Sequence, residues 1–195
     1  MRVAVVGVQG DVEEHVSITE KSLKSLGIDG EVLTVRKPGI VSKSDAVIIP
    51  GGESTTISKL IWKDGVAKEI IEIAESGCPV MGTCAGLIVI SKYGDDQVRK
   101  TGTKLLELLD VRIKRNAFGR QRESFEATLN IEGIGEYDAI FIRAPVIEEA
   151  GNGVKVLAEF DGKIVAVREK NILGLSFHPE LTGDVRIHQY FLTMV

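Results

Sequence analysis

The residue of clearest chemical potential is Cys84, in the run Gly82-Thr83-Cys84-Ala85-Gly86 between a predicted strand and a predicted helix. This G-x-C-x-G pattern is the thiol counterpart of the nucleophile elbow, a sharp turn that exposes one side chain above the carboxyl end of a sheet. Small flanking residues are needed because the backbone passes close to its neighbours. The helix N-terminus favours negative charge there, and the N–H of Ala85 can point at an oxyanion. Cys84 is therefore a candidate nucleophile, with a small buried cysteine as the alternative.

A candidate base for this thiol lies in His178-Pro179-Glu180, directly after the run from Ile172 to Phe177. Pro179 biases His178 toward an extended conformation, in which residues two apart share a face. Glu180 can therefore reach back and orient the imidazole, as the acid of a triad does. For His178 alone, a hydrogen-bonded histidine at a strand end would be the plainer interpretation. Together with the elbow, the pattern favours a Cys-His-Glu triad.

The two other histidines, His15 and His188, fall in predicted helices near the two ends of the chain. His15 lies off the apolar stripe of the first helix, and His188 belongs to an amphipathic closing helix. We expect surface or interface positions for both residues rather than a role in catalysis.

A glycine-rich run, Pro50-Gly51-Gly52-Glu53-Ser54, follows another predicted strand. In a parallel α/β sheet this places its backbone at the carboxyl edge, where ligands bind. Two glycines allow backbone N–H groups to turn toward a ligand, although an ordinary glycine turn explains the run equally well. A phosphate loop is excluded because no Gly-Lys-Ser/Thr follows at the required spacing.

Arginines provide candidate anchors for a carboxylate, because guanidinium groups pair with it bidentately. Arg143 ends a predicted strand just before Pro145, and a basic cluster lies between positions 112 and 122. RNA binding is the alternative for this cluster, but its first members alternate with apolar residues and only Phe118 offers a stacking ring. A solvated strand face or a carboxylate clamp is favoured. The cluster consists of Arg112, Lys114, Arg115, Arg120 and Arg122.

The elements that must position these residues alternate between strand and helix in the first half of the chain. Val-rich apolar runs predict buried parallel strands, and apolar residues spaced by three and four predict helices. Asp11 and Glu14 resemble a capping box for the first helix, and Gly27 is its stop. The predicted helices cover residues 12–26, 66–76, 85–90 and 184–195.

From position 111 onward short strands dominate, two of them joined by an Asp161-Gly162 hairpin signal. The sum is an α/β fold whose sheet is parallel in the first half and mixed afterwards. The predicted strands cover residues 2–8, 31–35, 45–49, 79–83, 111–115, 124–129, 138–143, 154–160, 163–168 and 172–177.

Composition limits the possible functions. The 195 residues, 44% of them hydrophobic, can bury one core, and we expect a single domain over residues 1–195. A net charge of −4 argues against nucleic acid or an anionic membrane as partner. No apolar run approaches the roughly 20 residues that span a bilayer, and the start predicts a strand rather than a signal peptide, so we expect a cytoplasmic protein. Two cysteines provide neither a disulfide framework nor a four-ligand zinc site, and Cys78 is expected only to pack.

Taken together, the motifs resemble the class I, or triad, glutamine amidotransferase family. Within it they resemble the branch whose members are glutaminase subunits of pyridoxal 5′-phosphate synthases. The resemblance covers the whole chain in order. The cysteine and His-Pro-Glu motifs are common to the class, whereas the other three are more specific to the branch. The five motifs are the runs from Gln9 to His15, Pro50 to Thr55, Gly82 to Leu87, Arg115 to Gln121 and Phe177 to Glu180.

This resemblance implies a flavodoxin-like three-layer sandwich with a mixed, mainly parallel central sheet. It also implies hydrolysis of L-glutamine to glutamate and ammonia, with Cys84 as nucleophile, His178 as general acid/base and Glu180 as its orienting carboxylate. No metal or other cofactor is required. The ammonia would pass to a barrel-shaped synthase subunit in a hetero-oligomeric complex.

Further positions follow from the same resemblance. The oxyanion hole would lie at Gly52 and Ala85, and the segment that begins with Gln9 and Gly10 is expected to link partner docking to that hole. Glutamine would be held by Gly51, Gly52, Glu53, Arg115, Ile142 and Arg143.

Three other functions stay open at this point. A glutaminase subunit of another synthase, such as imidazole glycerol phosphate synthase, is disfavoured by two of the branch-specific runs, those that begin at Gln9 and Arg115. A catalytically silent binding module is disfavoured by the intact triad. An esterase-like α/β-hydrolase is disfavoured because its acid precedes the histidine, whereas Glu180 follows His178.

Overall fold

Buried runs of valine and isoleucine form the strands at the centre of the molecule. The computed structural model describes residues 1–118 and 123–195. Along the chain its strands are β1 (Arg2–Val6), β2 (Glu31–Val35), β3 (Ala46–Ile49), β4 (Val80–Thr83), β5 (Ser91–Tyr93), β6 (Leu109–Lys114), β7 (Ser124–Ile131), β8 (Gly135–Ile142), β9 (Val146–Ala150), β10 (Lys155–Phe160), β11 (Lys163–Glu169) and β12 (Ile172–Leu175). Its helices are α1 (Val12–Leu26), α2 (Ser54–Lys63), α3 (Val66–Glu75), α4 (Ala85–Ile90), α5 (Asp96–Lys100) and α6 (Arg186–Leu192).

The main sheet has the strand order β2-β1-β3-β4-β12-β11-β9-β6-β5, and β10 pairs with β11 outside this path. The strands from β2 to β12 in this order are parallel to one another. Next, β11, β9 and β6 each run antiparallel to the strand before them, and β5 lies parallel to β6 at the edge. The predicted sheet, parallel in the first half of the chain and mixed afterwards, is confirmed.

Alternate residues of the central strands face two separate hydrophobic layers, as the two-residue period of a strand requires. On β1, Ala4 and Val6 pack in the layer that contains α2, α3 and α4. Val3 and Val5 pack in the layer that contains α1, α6 and the hairpin of β7 and β8. Elements on both faces of a central sheet make three layers, and the predicted flavodoxin-like sandwich is confirmed.

Some local predictions agree with the structure. Gly27 ends α1 in the left-handed conformation with φ of 68°, the role that glycine performs most easily at this position. Asp161 and Gly162 connect β10 to β11 with φ of 54° and 70°. Two positive φ values are what the predicted two-residue hairpin turn demands.

Other local predictions need correction. The elements α2, α5, β5 and β9 were not predicted, and the closing helix covers only Arg186–Leu192. The capping box was wrong, because Asp11 stands at the N-cap of α1 without a capping hydrogen bond from its side chain. Its carboxylate instead faces the imidazole of His178. Part of the basic cluster and of the fourth motif, namely Gly119, Arg120, Gln121 and Arg122, lies outside the described residues.

The parallel strands bring the candidate site residues to one edge of the sheet. The strands β1, β3, β4 and β12 are neighbours in the sheet, so their carboxyl ends lie side by side. Each is followed within a few residues by one of the motifs singled out in the sequence. These are Gln9 to Asp11 after β1, Pro50 to Glu53 after β3, Cys84 after β4 and His178 to Glu180 after β12.

Candidate active site

Cys84 lies at the junction of β4 and α4 in a backbone conformation that few residues other than glycine adopt, with φ of 49° and ψ of −103°. Its N–H donates to the carbonyl oxygen of Leu175 at 2.8 Å, which ties the turn to β12. A Cβ atom on Gly82 would lie 2.7 Å from the Gly86 backbone, and one on Gly86 would lie 2.0 Å from the Ile49 carbonyl oxygen. The glycines at 82 and 86 are therefore required by the close approach of the backbone, and the local geometry is that of a nucleophile elbow.

Cys84 lines a pocket, and little of the residue is exposed. The residue is 7% exposed, and its Sγ is 3.6 Å from the carbonyl oxygen of Ile142. The helix that follows, α4, is buried along its whole length. Its first residue, Ala85, has a backbone N–H without a partner inside the helix, as is usual for a first turn. A negative charge on the sulfur or on a nearby oxygen would therefore face N–H groups.

His178 is held between two carboxylates. Its Nδ1 lies 2.7 Å from Oε1 of Glu180 and 3.3 Å from Oδ2 of Asp11. Its backbone N–H donates to the carbonyl oxygen of Ile140 at 2.8 Å, which fixes the chain direction after β12. Because Nδ1 donates its hydrogen to a carboxylate, Nε2 is the nitrogen left for chemistry. That Nε2 atom is buried and has no hydrogen-bond partner in the part of the chain that the structure describes.

The surroundings of His178 favour its protonated form. Burial acts to lower the pKa of His178, but interactions with Asp11, Cys84 and Glu180 raise it to about 12. The hydrogen bond from His178 is the main cause that lowers the pKa of Asp11, against a smaller opposing effect of burial. Burial raises the pKa of Glu180, although the hydrogen bond and charge of His178 act in the other direction. A histidine of this kind is an imidazolium at neutral pH and has a proton to give.

The glycine loop after β3 packs against both the histidine and the segment after β1. A Cβ atom on Gly51 would lie 2.5 Å from Cε1 of His178. Gly52 has φ of 138°, and a Cβ atom on it would lie 2.6 Å from Oε1 of Gln9. The backbone N–H of Glu53 donates to the same oxygen of Gln9 at 2.7 Å. Gly10 passes so close to the carbonyl oxygen of Gly51 that no side chain fits at that position.

The carboxylate of Glu53 caps the helix α2. It accepts hydrogen bonds from the backbone N–H groups of Thr55 and Thr56 at 3.1 and 2.7 Å, and from Oγ1 of Thr56 at 2.6 Å. These bonds lower the pKa of Glu53 even though its partial burial acts to raise it. The guanidinium of Arg115 lies 3.8 Å from the same carboxylate. With its side chain used in this way, Glu53 faces the pocket chiefly through its backbone.

These groups surround a pocket with a volume of about 360 Å³. Two of the predicted site residues do not line it: Gly51 lies against the His178 ring, and Glu180 lies behind that ring. Cys84, Asn116 and Arg143 combine positive φ values with side chains other than hydrogen, and such strain tends to collect at functional sites. The lining residues are Gln9, Gly10, Asp11, Gly52, Glu53, Ser54, Cys84, Ala85, Ile88, Arg115, Asn116, Ile142, Arg143 and His178.

Comparison with known proteins identifies the family of this chain. Residues 5–195 match the model of the SNO glutamine amidotransferase family. The chain belongs to this family. The membership of the class I glutamine amidotransferases that the motifs predicted is confirmed.

Individual relatives of this amidotransferase cover its full length. It is 67% identical over 194 residues to the pyridoxal 5′-phosphate synthase subunit PdxT of Archaeoglobus fulgidus, covering 100% of this chain and 98% of that protein. It is 54% identical over 196 residues to the protein of the same name from Methanocella arvoryzae, again covering 100% and 98%. A crystal structure of a glutamine amidotransferase is similar with a TM-score of 0.87 at 44% identity, over 98% of this chain and 97% of that one.

The prediction for the two remaining histidines of the amidotransferase was wrong. His15 and His188 are both fully buried, and neither lies at the surface. The buried residues of α1 are His15, Ile18, Thr19, Ser22 and Leu23. Three of these five are polar. The predicted apolar stripe therefore included Thr19 and Leu23 correctly but took the partly exposed Val16 in place of His15. The spacing of three and four residues that joins His15 to Ile18, Thr19 and Ser22 was the available signal.

One group of side chains in the described part of the amidotransferase has the donor types and spacing of a metal site. It consists of Asp11, His178 and Glu180, whose ligand atoms lie within 4.8 Å of one another. The same atoms form the hydrogen bonds that hold the imidazole in place. Their arrangement is explained by the orientation of His178, and we assign no metal to it.

In the described residues, no helix has the length and apolar character needed to cross a membrane.

Proposed function

We propose that this amidotransferase is the glutaminase subunit of a pyridoxal 5′-phosphate synthase, and that it hydrolyses L-glutamine to L-glutamate and ammonia with Cys84, His178 and Glu180. The observation that carries the proposal is the free, buried Nε2 of His178 in a pocket that also contains the strained Cys84. The full-length similarity to proteins named pyridoxal 5′-phosphate synthase subunits supports the choice of synthase. The polypeptide acts as one domain over residues 1–195 in the cytoplasm.

The first half of the reaction forms a thioester. The thiolate of Cys84 attacks the carboxamide carbon of glutamine, and the negative oxygen that results is held by backbone N–H groups of Ala85 and Gly52. The carbon–nitrogen bond then breaks, and His178 gives its proton to the departing nitrogen, which leaves as ammonia. The interaction with Cys84 is one of the causes of the raised His178 pKa. Acylation of the sulfur removes that support, so the imidazolium becomes a stronger acid when its proton is needed.

The second half of the reaction releases glutamate. Neutral His178 takes a proton from a water molecule, and the oxygen of that water attacks the thioester carbon. The bond to sulfur breaks and regenerates the thiolate of Cys84, while His178 returns to its protonated form. Glu180 keeps the imidazole oriented throughout because it accepts the hydrogen of Nδ1 at 2.7 Å. No metal or redox cofactor takes part in these steps.

Glutamine itself is held by the rim of the pocket. Arg115 and Arg143 supply guanidinium groups for its α-carboxylate, and both line the pocket. The carbonyl of Ile142 lies close to Cys84 and can accept from an N–H group of the substrate. The remaining contacts come from the backbone of Gly52 and Glu53, because the carboxylate of Glu53 is already used to cap α2. Gly51, which lies against the His178 ring, holds this loop in place.

The partner is the barrel-shaped synthase subunit that receives the ammonia in a hetero-oligomeric complex. The segment at Gln9 and Gly10 links docking to catalysis, since Gln9 accepts the N–H of Glu53 next to the proposed oxyanion hole at Gly52. Docking that moves Gln9 would change how the peptide between Gly52 and Glu53 is held. Gln9→Ala is therefore expected to alter the stimulation of glutaminase activity by the partner, and unchanged stimulation would remove this role.

The deciding experiment measures glutamate release from glutamine by the purified chain, alone and with its candidate synthase subunit. Activity that depends on the partner and is abolished by Cys84→Ala would support the reaction, the nucleophile and the partner together. Activity without stimulation would keep the glutaminase and point to another synthase, such as that for imidazole glycerol phosphate. No activity under either condition would favour a silent binding module.

A further inference from the structure

A second set of buried polar groups lies behind the triad, and the mechanism above does not use it. His15 from α1 and His188 from α6 are both fully buried, with Nδ1 of His15 3.2 Å from Nε2 of His188. The other ring nitrogen of His15, Nε2, lies 3.1 Å from Oγ1 of Thr83 and 3.2 Å from Oε2 of Glu180. Thr83 is the residue before the nucleophile. Two helices from opposite ends of the chain thus reach the back of the site.

The proton positions in this set follow from the contacts. Burial is the main cause that lowers the pKa of His15 well below its usual range, and electrostatic interactions with His188 and His178 act in the same direction, so the ring is neutral and carries one hydrogen. If that hydrogen were on Nδ1, the lone pair of Nε2 would face a carboxylate oxygen at 3.2 Å and be repelled. The hydrogen is therefore on Nε2, and Nδ1 accepts from Nε2–H of His188. This leaves Nδ1 of His188 as an acceptor without a partner among the described groups.

Two carboxylates lie near Nδ1 of His178, so the orientation of Glu180 determines which of them accepts its hydrogen. Nδ1 of His178 lies 2.7 Å from Glu180 and 3.3 Å from Asp11. Oε2 of Glu180 has no well-directed hydrogen bond from any described residue, and Nε2 of His15 is the polar group next to it. If the Glu180 carboxylate rotated away, Nδ1 of His178 would donate its hydrogen to Asp11 instead. The imidazole would then turn relative to the sulfur of Cys84.

We propose that His15, supported by His188, is a positioning residue of this amidotransferase. Its Nε2–H donates to Oγ1 of Thr83 and lies 3.2 Å from Oε2 of Glu180, and electrostatic attraction to this N–H group holds the carboxylate so that Oε1 accepts from His178. The inference rests on the proposed glutaminase reaction, for which the orientation of His178 matters. The triad thus has a buried support that runs from α6 through α1 to Glu180.

Two substitutions at one position test this role in the complex with the synthase subunit. Glutamine places its amide nitrogen near the position of Nε2, whereas the shorter asparagine reaches only the position of Nδ1. We expect His15→Asn to lower kcat by about tenfold with little change in KM, and His15→Gln to recover most of the loss, because only the second keeps a donor for Glu180. Equal kcat values for the two variants would overturn the proposal, as would a wild-type kcat in His15→Asn.

Ser22→Ala is the matched control on the same buried face of α1. Ser22 donates to the carbonyl oxygen of Ile18 and lies 3.5 Å from that of Val185, without contact to the triad. This variant is expected to lower thermal stability while it leaves kcat unchanged. A loss of kcat in Ser22→Ala equal to that in His15→Asn would show that general loosening of the contact between α1 and α6 is enough, and would overturn the proposal.

A readout without glutamine separates this inference from the proposed function. The rate of alkylation of Cys84 by iodoacetamide depends on the imidazolium beside the sulfur, and we expect it to fall in His15→Asn but not in His15→Gln. If the alkylation rates follow this pattern but the wild-type chain releases no glutamate, the proposed glutaminase function is refuted and the positioning role of His15 is kept. If His15→Asn does not fold, the same comparison is made at His188, which contacts His15, with the variants His188→Gln and His188→Leu. Equal alkylation rates in these two variants would overturn the proposal.

Discussion

The strand β4 has a cysteine near each end, and the two thiols have very different surroundings. Cys78 precedes the strand at its amino end, half-buried, with Sγ 3.7 Å from the carbonyl oxygen of Ser44. Burial and the charge of Asp45 raise the pKa of Cys78 to about 11. Cys84 follows the strand at its carboxyl end, with strained backbone and His178 beside it. The position along one strand, rather than the residue type, separates an inert thiol from a candidate nucleophile.

The difference between the two ends reflects what a parallel sheet places there. At the carboxyl edge four neighbouring strands deliver polar groups and a helix N-terminus to one point, the general place for ligands in such sheets. At the amino edge the polar groups serve the backbone instead. Asp45 accepts the N–H of Arg2 at 2.6 Å, and the carbonyl of Cys78 accepts from the side chain of Asn171 at 2.7 Å. The causes that shift the pKa of Cys78 are burial and the charge of Asp45, and no cation that would favour the thiolate is among them.

The largest expected effect of this difference is in alkylation by iodoacetamide at neutral pH. With a pKa of about 11, the Cys78 thiol holds roughly a hundredfold less thiolate than a free cysteine, so the smaller thiolate fraction should slow its reaction by up to about that factor. Cys84 should be labelled first because an imidazolium stands beside it. Mass spectrometry of peptides after brief exposure measures both rates, with Cys84→Ala as the control. Equal labelling of the two cysteines would contradict the comparison.

Gly86→Ala is expected to have the next largest effect, because it disturbs the backbone packing at the carboxyl end of β4. The new Cβ would lie 2.0 Å from the carbonyl oxygen of Ile49, so β3 or α4 must shift. We expect a loss of about 3 kcal/mol in the free energy of unfolding, together with a loss of glutaminase activity. Urea unfolding followed by circular dichroism measures the first quantity.

Gly153→Ala is the matched control for this glycine. A Cβ atom there would meet only the end of the Glu169 side chain at 3.3 Å, which can move aside. Its expected cost is about 0.5 kcal/mol or less. Similar losses in the two variants would mean that the close approach at Gly86 does not control the elbow.

The features of β4 that the sequence revealed are those fixed by local physics. Continuous apolar residues in the β3 and β4 regions predict buried parallel strands, and the structure has them. Glycines on both sides of Cys84 predict a close backbone approach, and the lack of room for a Cβ atom at Gly82 and Gly86 agrees with this. These signals need no knowledge of the rest of the chain.

What the sequence did not reveal depends on distant contacts. The helix α2 begins with Ser54, Thr55 and Thr56, which favour helices poorly. A distant contact helps to hold it, because Oγ of Ser58 donates to the carbonyl oxygen of Lys104 at 2.7 Å. The strand β9 lacks alternation and is defined by its pairing with β6 and β11. His15 was assigned to the surface because its partners, Glu180 and His188, lie far away in the sequence.

Asp11→Asn is expected to have a smaller effect, one that depends on pH. The hydrogen bond from His178 lowers the pKa of Asp11 from its usual value near 3.8. The stabilisation is therefore complete above that value and is lost as the pH falls through the lower folded-state pKa. The difference in unfolding free energy between the wild type and Asp11→Asn should shrink on acidification below about pH 4.

The exposed Asp64 provides a control for this pH series. Asp64→Asn, measured in the same buffers, tests whether any loss of one carboxylate gives the same trend. A difference for Asp11→Asn that stays constant or grows as the pH falls would contradict the pairing of Asp11 with His178.

The smallest effect is expected for Cys78→Ala, at the amino end of β4. The hydrogen bonds of this residue that hold the strand are made by its backbone: its N–H donates to Ile73 at 2.9 Å, and its carbonyl accepts from Asn171. Alanine keeps both of these bonds and removes only a half-buried sulfur, so the expected loss is about 1 kcal/mol or less, with glutaminase activity unchanged. Urea unfolding and glutamate release, measured beside Cys84→Ala, compare the two ends directly. A large loss of activity in a folded Cys78→Ala would show that the amino end of β4 contributes to the reaction, and that the chemistry is not confined to the carboxyl edge.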